Sequence, residues 1–248
     1  MHVNLGGGIE IFGTLDSTNS YMKRQDLDSL PEGTVVIADG QTRGRGRFGR
    51  SFVSPRGDGI YMSVLLKPRV TEEDLRLLTI FCAVAVSRAV HGVCGFEPSV
   101  KWVNDITHGG KKFCGILVET VGSIKSGATN VCAGIGINTG DVPGEIADIA
   151  TSLYEITGLA IDRNRLIAEV LNRLWEIVFK LSDADARRSV VSEYRQRFKS
   201  TGREVMISEG GSAPFAAAVT GISDRGELRV IDKNGNTFEI SSGEVVWT

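Results

Sequence analysis

The chain has 248 residues, a formal net charge of −2 and 42% hydrophobic residues. This length suits one large domain, or one domain with a small appendage, and the apolar fraction excludes a disordered chain. The slightly acidic balance excludes a nucleic-acid-binding surface spread over the whole protein, so any basic cluster is a local feature. The four cysteines form no C-x-x-C pair and have no histidine at metal-ligand spacing, which indicates reduced thiols in a cytoplasmic protein.

No segment is predicted to enter a membrane. The N-terminus, MHVNLGGGIEIFG, lacks the basic start and the apolar core of a signal peptide. The most apolar segment, residues 77–86, is shorter than a bilayer requires and is bounded by Arg76 and Arg88. This segment is therefore predicted to be a buried helix.

Strands and helices are predicted to alternate in the first half of the chain. A first helix is expected after Asp16 or Ser17 as its cap, and a second after Thr71. Runs of β-branched and apolar residues predict five strands, at residues 33–39, 59–68, 99–105, 112–120 and 129–140. Gly109 and Gly110, between the third and fourth runs, favour a hairpin.

The second half is predicted to hold two helices and then a small β-rich segment. The helices cover residues 161–181, capped near Asp162, and residues 184–198. From about Gly202, short alternating strands with Asn-Gly and Arg-Gly turns predict a small β-barrel. Such a segment of roughly 45–50 residues is near the lower limit for independent folding, so we expect it to dock on the main body. The predicted domains are residues 1–200 and 201–248.

The stretch GQTRGRGRFGRSF, residues 40–52, carries four arginines within eight residues. Such a loop repels itself unless it holds an anion, and its glycines permit positive φ and close approach of the backbone. Arginine makes forked contacts with carboxylate and phosphate, each worth about 1.5–3 kcal/mol. The alternating arginines are expected to project to different sides. The sequence therefore predicts an anion site made of guanidinium groups.

Other interpretations of this arginine loop stay open at this point. Residues 44–49 match the dinucleotide-binding pattern G-x-G-x-x-G, and residues 44–51 nearly match a P-loop. Both motifs need a helix directly after the loop, whereas a proline and two glycines follow here. A solvated or RNA-binding arginine-glycine loop is a further alternative, although only Phe48 and Phe52 could stack on bases.

Two later segments are expected to lie near the arginine loop. They are KWVND, residues 101–105, and KKFCG, residues 111–115. If their strands pair, the lysines and Asn104 can face one cleft, and Asp105 adds a carboxylate at the turn. Asn138 follows small residues at a strand end, which lets a ligand lie close. A solvent-exposed hairpin tip is the alternative for the two adjacent lysines.

Taken together, these motifs resemble those of the biotin protein ligases. The matching segments are DSTN, GQTRGRGRFGR, KWVND, KKFCGILVE and GIGIN, at residues 16–19, 40–50, 101–105, 111–119 and 134–138. They come in the family's order and at about its spacing, over about residues 9–200. The fold class implied is α+β: a mixed-sheet catalytic domain related to class II aminoacyl-tRNA synthetases, followed by a small SH3-like β-barrel.

The resemblance implies an enzyme that uses MgATP to convert biotin to biotinyl-5′-AMP. It would then pass the biotinyl group to one lysine of the biotin carboxyl carrier domain of a carboxylase. The anions in the arginine loop would be the carboxylate of biotin and the α-phosphate of ATP. Mg²⁺ would bind the triphosphate rather than a cage of protein ligands. No DNA or membrane partner is expected, and homodimer formation stays open.

The family's site residues are carried over at the matching positions. The implied biotin-binding residues are Ser17, Thr18, Asn19, Gln41, Arg45, Gly46, Arg47, Lys112 and Gly115. The implied ATP-binding residues are Arg45, Arg47, Arg50, Phe52, Lys101, Asn104 and Asn138. The implied catalytic residues are Lys112, Arg47 and Asp105. Lys112 would bridge the reacting oxygens, and Asp105 would orient or deprotonate the incoming lysine.

The sequence departs from the family pattern at a few positions. Val103 stands where proline is common, Ile106 where leucine is common, and Phe52 where tryptophan is frequent. The N-terminal DNA-binding domain of some relatives is not expected, because the resemblance begins near residue 9. Lipoate or octanoate ligases of the same fold are one alternative, and an RNA-binding module is an alternative from another class.

Overall fold

A computed structural model describes residues 7–123, 128–178, 180–208 and 213–247. The ends of both predicted domains, residues 1–6 and 248, lie outside the described residues. The strands are β1 Ile9–Phe12, β2 Val35–Ala38, β3 Gly59–Leu66, β4 Ser99–Lys101, β5 Asp105–His108, β6 Lys111–Ser123, β7 Thr129–Asn138, β8 Glu204–Ser208, β9 Phe215–Ile222, β10 Leu228–Asp232, β11 Thr237–Ile240 and β12 Glu244–Trp247. The helices are α1 Thr18–Lys23, α2 Glu72–Arg76, α3 Leu78–Cys94, α4 Leu153–Thr157, α5 Arg163–Val178 and α6 Ala184–Arg197.

The larger sheet has seven strands in the order β1-β2-β3-β7-β6-β5-β4. The β1–β2 pair is parallel and the other pairs are antiparallel, so the sheet is mixed. Every residue of β3 is buried, because this central strand is covered by α1 and by α5. Helix α3 packs on α5 and α6 and forms the centre of the core.

The helix caps follow the sequence signals. Ser17, rather than Asp16, caps α1, since its side chain accepts a hydrogen bond from the Ser20 amide. The Thr71 hydroxyl accepts from the Asp74 amide at 3.2 Å at the start of α2. The Asp162 carboxylate likewise accepts from the Arg165 amide at 3.0 Å beside α5. These bonds satisfy amides that a helix leaves unpaired at its N-terminus.

The predicted helix at residues 77–86 is confirmed as a core element. Residues 73–94 are apolar and long enough to cross a membrane by length and composition alone. However, 67% of the most apolar window is buried inside the protein. Such burial on all sides is what an all-apolar helix requires in the core of a globular domain.

The smaller sheet contains five strands in the order β11-β10-β9-β8-β12, and all its pairs are antiparallel. Its buried residues, including Val205 and Val230, belong to the same apolar cluster as the main core. The Trp102 indole N–H donates to the Gly226 carbonyl at 3.0 Å, which ties the two sheets together. The predicted fold class, a mixed sheet with helices and a small C-terminal β domain, is confirmed.

Two local predictions need correction. The single strand predicted at residues 99–105 is interrupted: β4 ends at Lys101 and β5 begins at Asp105, and in the turn between them Asn104 bonds to Ile116, its side chain donating to the Ile116 carbonyl at 3.0 Å. The hairpin is therefore β5–β6, and Gly109 and Gly110 form its turn with φ values of 56° and 83°. Strand β1 was not predicted; its four residues alternate between exposed and partly buried, and β2 alone pairs with it among the described strands.

Candidate active site

The arginine loop folds back on itself as a short hairpin. The Gly46 amide donates to the Arg50 carbonyl at 2.7 Å, and the Phe52 amide donates to the Gly44 carbonyl at 2.9 Å. A Cβ at Gly44 would lie 2.2 Å from the Phe52 carbonyl, so this position requires glycine. No helix follows the loop before β3 begins, which excludes both the dinucleotide-binding motif and the P-loop.

The tip of the loop is a single 3-10 turn, Arg47–Gly49. Phe48 has a φ of 55°, a value that bulky residues seldom adopt, and Gly49 has a φ of 74°. The positive φ expected of the glycines is thus found at Gly49 and Phe48, whereas Gly46 is extended. The Arg47 guanidinium carbon lies 4.9 Å from the Phe48 ring centroid, so the turn and the ring hold this side chain together.

Three arginines of the loop point to three different places, as predicted. Arg45 reaches Glu119 of β6, with 3.3 Å between Nη2 and Oε1. Arg50 forms an ion pair with Glu244 of β12, in the C-terminal sheet. Arg47 is half-buried and has no ion pair among the described residues. The loop therefore uses two arginines to fix its position, and Arg43 and Arg47 have no ion pair among the described residues.

A small polar cavity lies between the start of α1 and the centre of the sheet. Its lining includes Ser17, Thr18, Asn19, Gln41, Arg45, Gly46, Phe52, Asn104, Lys112, Gly115, Gly134 and Gly136. The Thr18 amide donates to Gln41 Oε1 at 2.9 Å, and Ser63 Oγ donates to Asn19 Oδ1 at 2.6 Å. The polar walls of the small cavity are thus already cross-linked by hydrogen bonds, which fixes their orientation.

Glu119 anchors one wall of the small cavity. Its carboxylate accepts from Asn19 Nδ2 at 3.0 Å and from Lys23 Nζ at 2.7 Å, in addition to Arg45. Burial acts to raise the pKa of Glu119, but the hydrogen bonds from Lys23 and Asn19 outweigh it and lower the pKa below its ordinary value. Glu119 therefore stays ionised and holds Asn19 and Arg45 in place.

The floor of the small cavity is made of glycines on β6 and β7. A Cβ at Gly134 would lie 2.3 Å from Asn19 Oδ1, and one at Gly136 would lie 2.6 Å from the Phe52 ring. A Cβ at Gly115 would lie 3.0 Å from the end of the Lys112 side chain. The absence of side chains on these strands therefore lets three functional side chains lie directly on the sheet.

A larger cleft opens on the other side of the loop. Its lining includes Arg47, Arg50, Phe52, Lys101, Asn104, Asp105, Lys112, Asn138, Ile146, Ile149, Glu244, Val245 and Trp247. Lys112 Nζ lies 2.6 Å from Asp105 Oδ1, so the carboxylate that β5 supplies to this cleft is paired. The large cleft therefore presents more positive than negative charge to a ligand.

Two cations of the large cleft are poorly compensated. Burial lowers the pKa of Lys101 and also that of Arg47, and in each case nearby Asp105 offsets only part of this effect. Neither side chain has a hydrogen bond to a carboxylate among the described residues. A desolvated cation gains most from an anionic partner, so this region suits phosphate or carboxylate groups.

Lys112 is fixed at the cleft rather than at a solvent-exposed tip. Its amide donates to the Ile149 carbonyl at 3.0 Å, and its carbonyl accepts from the Thr151 amide at 2.9 Å. The Asn138 side chain also donates to the Thr151 carbonyl at 3.0 Å. These bonds join β6, the end of β7 and the following loop, while neighbouring Lys111 is exposed.

The small cavity and the large cleft share four lining residues: Gly46, Phe52, Asn104 and Lys112. A molecule in the small cavity with an acidic end and a phosphate in the large cleft would therefore meet beside the Lys112 ammonium. Such an arrangement brings two anions together next to a fixed cation, which lowers the barrier to a reaction between them.

All the site residues expected from the sequence line one cavity or both, but Arg45 and Arg47, which were expected to contact both substrates, each line one cavity, and Arg47 lines the large cleft. Arg45 lines the small cavity and contacts Glu119, whereas it is not part of the lining of the large cleft. Glu119 was not expected to have a role, although the motif KKFCGILVE contains it. Ile149 and Trp247 were not expected at the site either, because tertiary packing alone brings these residues to the cleft.

The chain is similar to proteins of known families over most of its length. The model of the biotin/lipoate A/B protein ligase family matches residues 12–138. The biotin–[acetyl-CoA-carboxylase] ligase of Mycobacterium tuberculosis is 30% identical over 245 residues, which cover 96% of this chain and 88% of that protein. The Bacillus spizizenii bifunctional ligase/repressor BirA is 42% identical over 161 residues, and the match covers 63% of this chain but 49%, about half, of that protein.

The fold of this chain also matches that of a solved structure. The biotin protein ligase from Aquifex aeolicus in complex with biotin and ATP superimposes with a TM-score of 0.83 and 32% sequence identity. The superposition covers 97% of this chain and 98% of the Aquifex chain, so it includes the C-terminal sheet. The chain belongs to the biotin/lipoate A/B protein ligase family.

Proposed function

We propose that this chain is a biotin protein ligase, which activates biotin with ATP and attaches the biotinyl group to a lysine of a biotin carboxyl carrier domain. The observation that carries the proposal is the meeting of the small cavity and the large cleft at Lys112. Two relatives support it: the Mycobacterium tuberculosis protein is named a biotin–[acetyl-CoA-carboxylase] ligase, and the Aquifex aeolicus enzyme was solved with biotin and ATP.

Biotin fits the chemistry of the small cavity. Its bicyclic ring system is neutral and polar on one side, and the groups at the start of α1 offer fixed donors and acceptors to it. Ser17, Thr18, Asn19 and Gln41 would contact the ring system, and Gly115 would let it lie close to the sheet. The carboxylate of biotin would then extend toward Gly46 and Lys112, where the two cavities join.

The first step would join the two substrates. A carboxylate oxygen of biotin attacks the α-phosphorus of ATP, the bond to the β-phosphate breaks, and diphosphate leaves. Arg47 and Lys112 would neutralise the charge that both anions bring, and Lys101 and Arg50 would lie along the triphosphate. Asn104 and Asn138 would face the nucleoside, with Phe52 as an aromatic wall.

The second step would transfer the acyl group. The acceptor lysine nitrogen attacks the carbonyl carbon of biotinyl-5′-AMP, the carbon–oxygen bond to AMP breaks, and the nitrogen loses a proton. The amine must first be neutral, since a free lysine side chain has a pKa of about 10.4. Asp105, held 2.6 Å from Lys112, would orient the amine or accept its proton.

ATP reacts as a magnesium complex in such enzymes, and the residues of the cleft fit an ion carried by the nucleotide. No group of three or more His, Cys, Asp or Glu side chains able to hold a metal occurs among the described residues. Asp105 is already paired with Lys112. The phosphate oxygens would therefore supply the ligands of Mg²⁺, together with water.

The cellular setting is part of the proposal. All four cysteines are free thiols, and three of them are buried, which suits a reducing cytoplasm. The partner would be a carrier domain of a biotin-dependent carboxylase. We also propose a boundary near residue 200, between a catalytic domain and the C-terminal β domain that supplies one wall of the cleft.

A transfer assay read by intact mass tests the function. The protein is mixed with MgATP and a biotin carrier domain, with biotin in one tube and, in another, lipoate or octanoate together with a lipoyl domain. We expect the carrier domain to gain one biotinyl group in the first tube alone. Lys112→Ala serves as the inactive control, because it removes the cation at the junction while leaving β6 in place.

The other outcomes would overturn the proposal in distinct ways. Modification of a lipoyl domain by lipoate or octanoate, without use of biotin, would assign the chain to the other branch of its family. Absence of any transfer by a folded protein would leave the arginine loop as a binding surface without ligase activity.

A further inference from the structure

Trp247, in the last strand of the C-terminal sheet, lines the large cleft beside Lys101. Lys101 Nζ lies 5.4 Å from the centroid of the indole ring. The guanidinium carbon of Arg203 lies 5.9 Å from the same ring. Trp247 therefore contacts one cation of the main sheet and one of the C-terminal segment, at the cleft assigned above to ATP.

Lys101 depends on this ring for a partner. Its side chain is half-buried, and no hydrogen bond or ion pair joins it to another described residue. Three nearby cations, Arg203, Lys112 and Arg50, oppose its charge, whereas Asp105 is the one carboxylate that favours it. The face of an indole attracts an ammonium group and does not compete with phosphate as a carboxylate would.

The position of Trp247 is fixed by its surroundings. It pairs with Val205 of β8 in the C-terminal sheet and contacts the Phe198 ring, with 6.4 Å between centroids. Three residues before it, Glu244 forms the ion pair with Arg50 of the arginine loop. The last strand is thus attached to the cleft at both ends, so its indole ring presents a stable surface to Lys101.

We infer that Trp247 is a positioning residue for the triphosphate of ATP, which acts by holding the Lys101 ammonium in the large cleft. This inference rests on the proposed function for the identity of the ligand. It assigns to the C-terminal sheet a defined part in nucleotide binding, through one aromatic side chain. It also predicts that the effect is confined to ATP, because Trp247 is not part of the small cavity.

Two substitutions separate the role of the aromatic face from that of bulk. Trp247→Leu removes the ring, and Trp247→Phe keeps an aromatic face of smaller area. From the range of cation–π energies we expect Trp247→Leu to raise the KM for ATP about 3- to 30-fold, with the KM for biotin unchanged within about twofold. Trp247→Phe is expected to recover most of the loss.

A matched control and a double variant test the route through Lys101. Phe238→Leu changes an exposed aromatic residue of the same sheet that packs on Phe215, with 5.2 Å between ring centroids, and it should alter neither KM. In a Lys101→Met background, Trp247→Leu should add little further loss, because its target is already gone. Thermal unfolding of each variant reports whether the sheet still folds.

Binding of ATP alone, measured by isothermal titration calorimetry without biotin, distinguishes this inference from the proposed function. If the wild-type protein makes no biotinyl-5′-AMP, the ligase proposal fails, while weaker ATP binding by Trp247→Leu still supports the inference. A folded Trp247→Leu protein with wild-type ATP affinity would overturn it. An equal loss of ATP affinity from Trp247→Leu in the wild-type and in the Lys101→Met background would also overturn it, because Trp247 would then not act through Lys101.

Discussion

The small cavity and the large cleft differ in how their polar groups are satisfied. In the small cavity, the Asn19 amide has partners on both sides, Ser63 and Glu119, before any ligand is considered. In the large cleft, the cations Arg47 and Lys101 have aromatic neighbours instead of carboxylates. One site is a network of hydrogen bonds, and in the other, two of the four lining cations, Arg47 and Lys101, have no ion pair among the described residues.

This difference matches two kinds of ligand. A preorganised hydrogen-bond network recognises the shape of a small polar ring, since its groups need not reorganise on binding. Uncompensated cations recognise a polyanion, and their contribution depends on charge more than on shape. Substitutions in the two sites should therefore separate cleanly, with biotin affected by one set and ATP by the other.

The separation between the two sites does not hold at Lys112, because this residue lines both the small cavity and the large cleft. The largest loss of turnover is therefore expected from its substitution. Lys112→Ala should lower turnover on the order of 10²–10³, as loss of one preorganised charge stabiliser does. The rate of biotinyl-5′-AMP formation measures it. Lys111→Ala, at the exposed neighbour, is the matched control and should retain nearly normal turnover. A folded Lys112→Ala protein of normal activity would contradict the assignment.

A smaller effect, limited to the charged site, is expected from Arg47→Met. Removal of one charge-assisted contact should raise the KM for ATP or lower the adenylation rate about 10- to 100-fold. Steady-state kinetics with varied ATP measures the change. Arg43→Met removes an equally basic side chain from the same loop, but Arg43 lines neither cavity, so its kinetics should match the wild type.

The network site should respond to Gly134→Ala. The added Cβ would lie 2.3 Å from Asn19 Oδ1, so the amide must shift and its bonds to Ser63 and Glu119 must lengthen. We expect the KM for biotin to rise about tenfold, equivalent to loss of about 1.4 kcal/mol, while the KM for ATP stays unchanged. Gly92→Ala, where the nearest atom would be 3.9 Å away, is the control. An equal rise in both constants would contradict the separation.

The smallest predicted change is in the mobility of the arginine loop. Biotin and ATP together should slow tryptic cleavage at residues 43–50 several-fold, because the ligands supply an anion to Arg47, which has no ion pair among the described residues. Cleavage after Arg225, in an exposed turn of the C-terminal sheet, provides the internal control. Equal rates of cleavage of the loop with and without ligands would show that ligand binding does not order the loop.

Local signals explain the part of the structure that could be predicted from the sequence. Ser17 and Thr71 cap helices because their hydroxyls accept from amides three residues on, and Gly109 and Gly110 take the positive φ of a tight turn. Strand β1 escaped prediction because its four residues gain their stability from pairing with β2, which is distant in the chain.

The candidate site likewise contains residues that local motifs predict and residues that distant packing brings together. The lysines and asparagines on β4, β6 and β7 and in the turn after β4 lie in recognisable motifs, so their convergence could be predicted from strand pairing. The partner of Arg45 could not, since Glu119 meets it only when α1 and the loop pack on the sheet. Trp247 likewise reaches Lys101 through docking of the C-terminal sheet, and no local pattern near either residue indicates this contact.

Phe52 stands in the wall that the two cavities share, and its ring rests on Gly136 with Lys112 Nζ 5.6 Å from its centroid. Such a shared wall couples the two binding equilibria. If biotin displaces the ring and thereby changes the affinity for ATP by some factor, then ATP must change the affinity for biotin by the same factor. A thermodynamic cycle of the four ligation states, compared with that of Phe52→Ala, would measure this linkage directly.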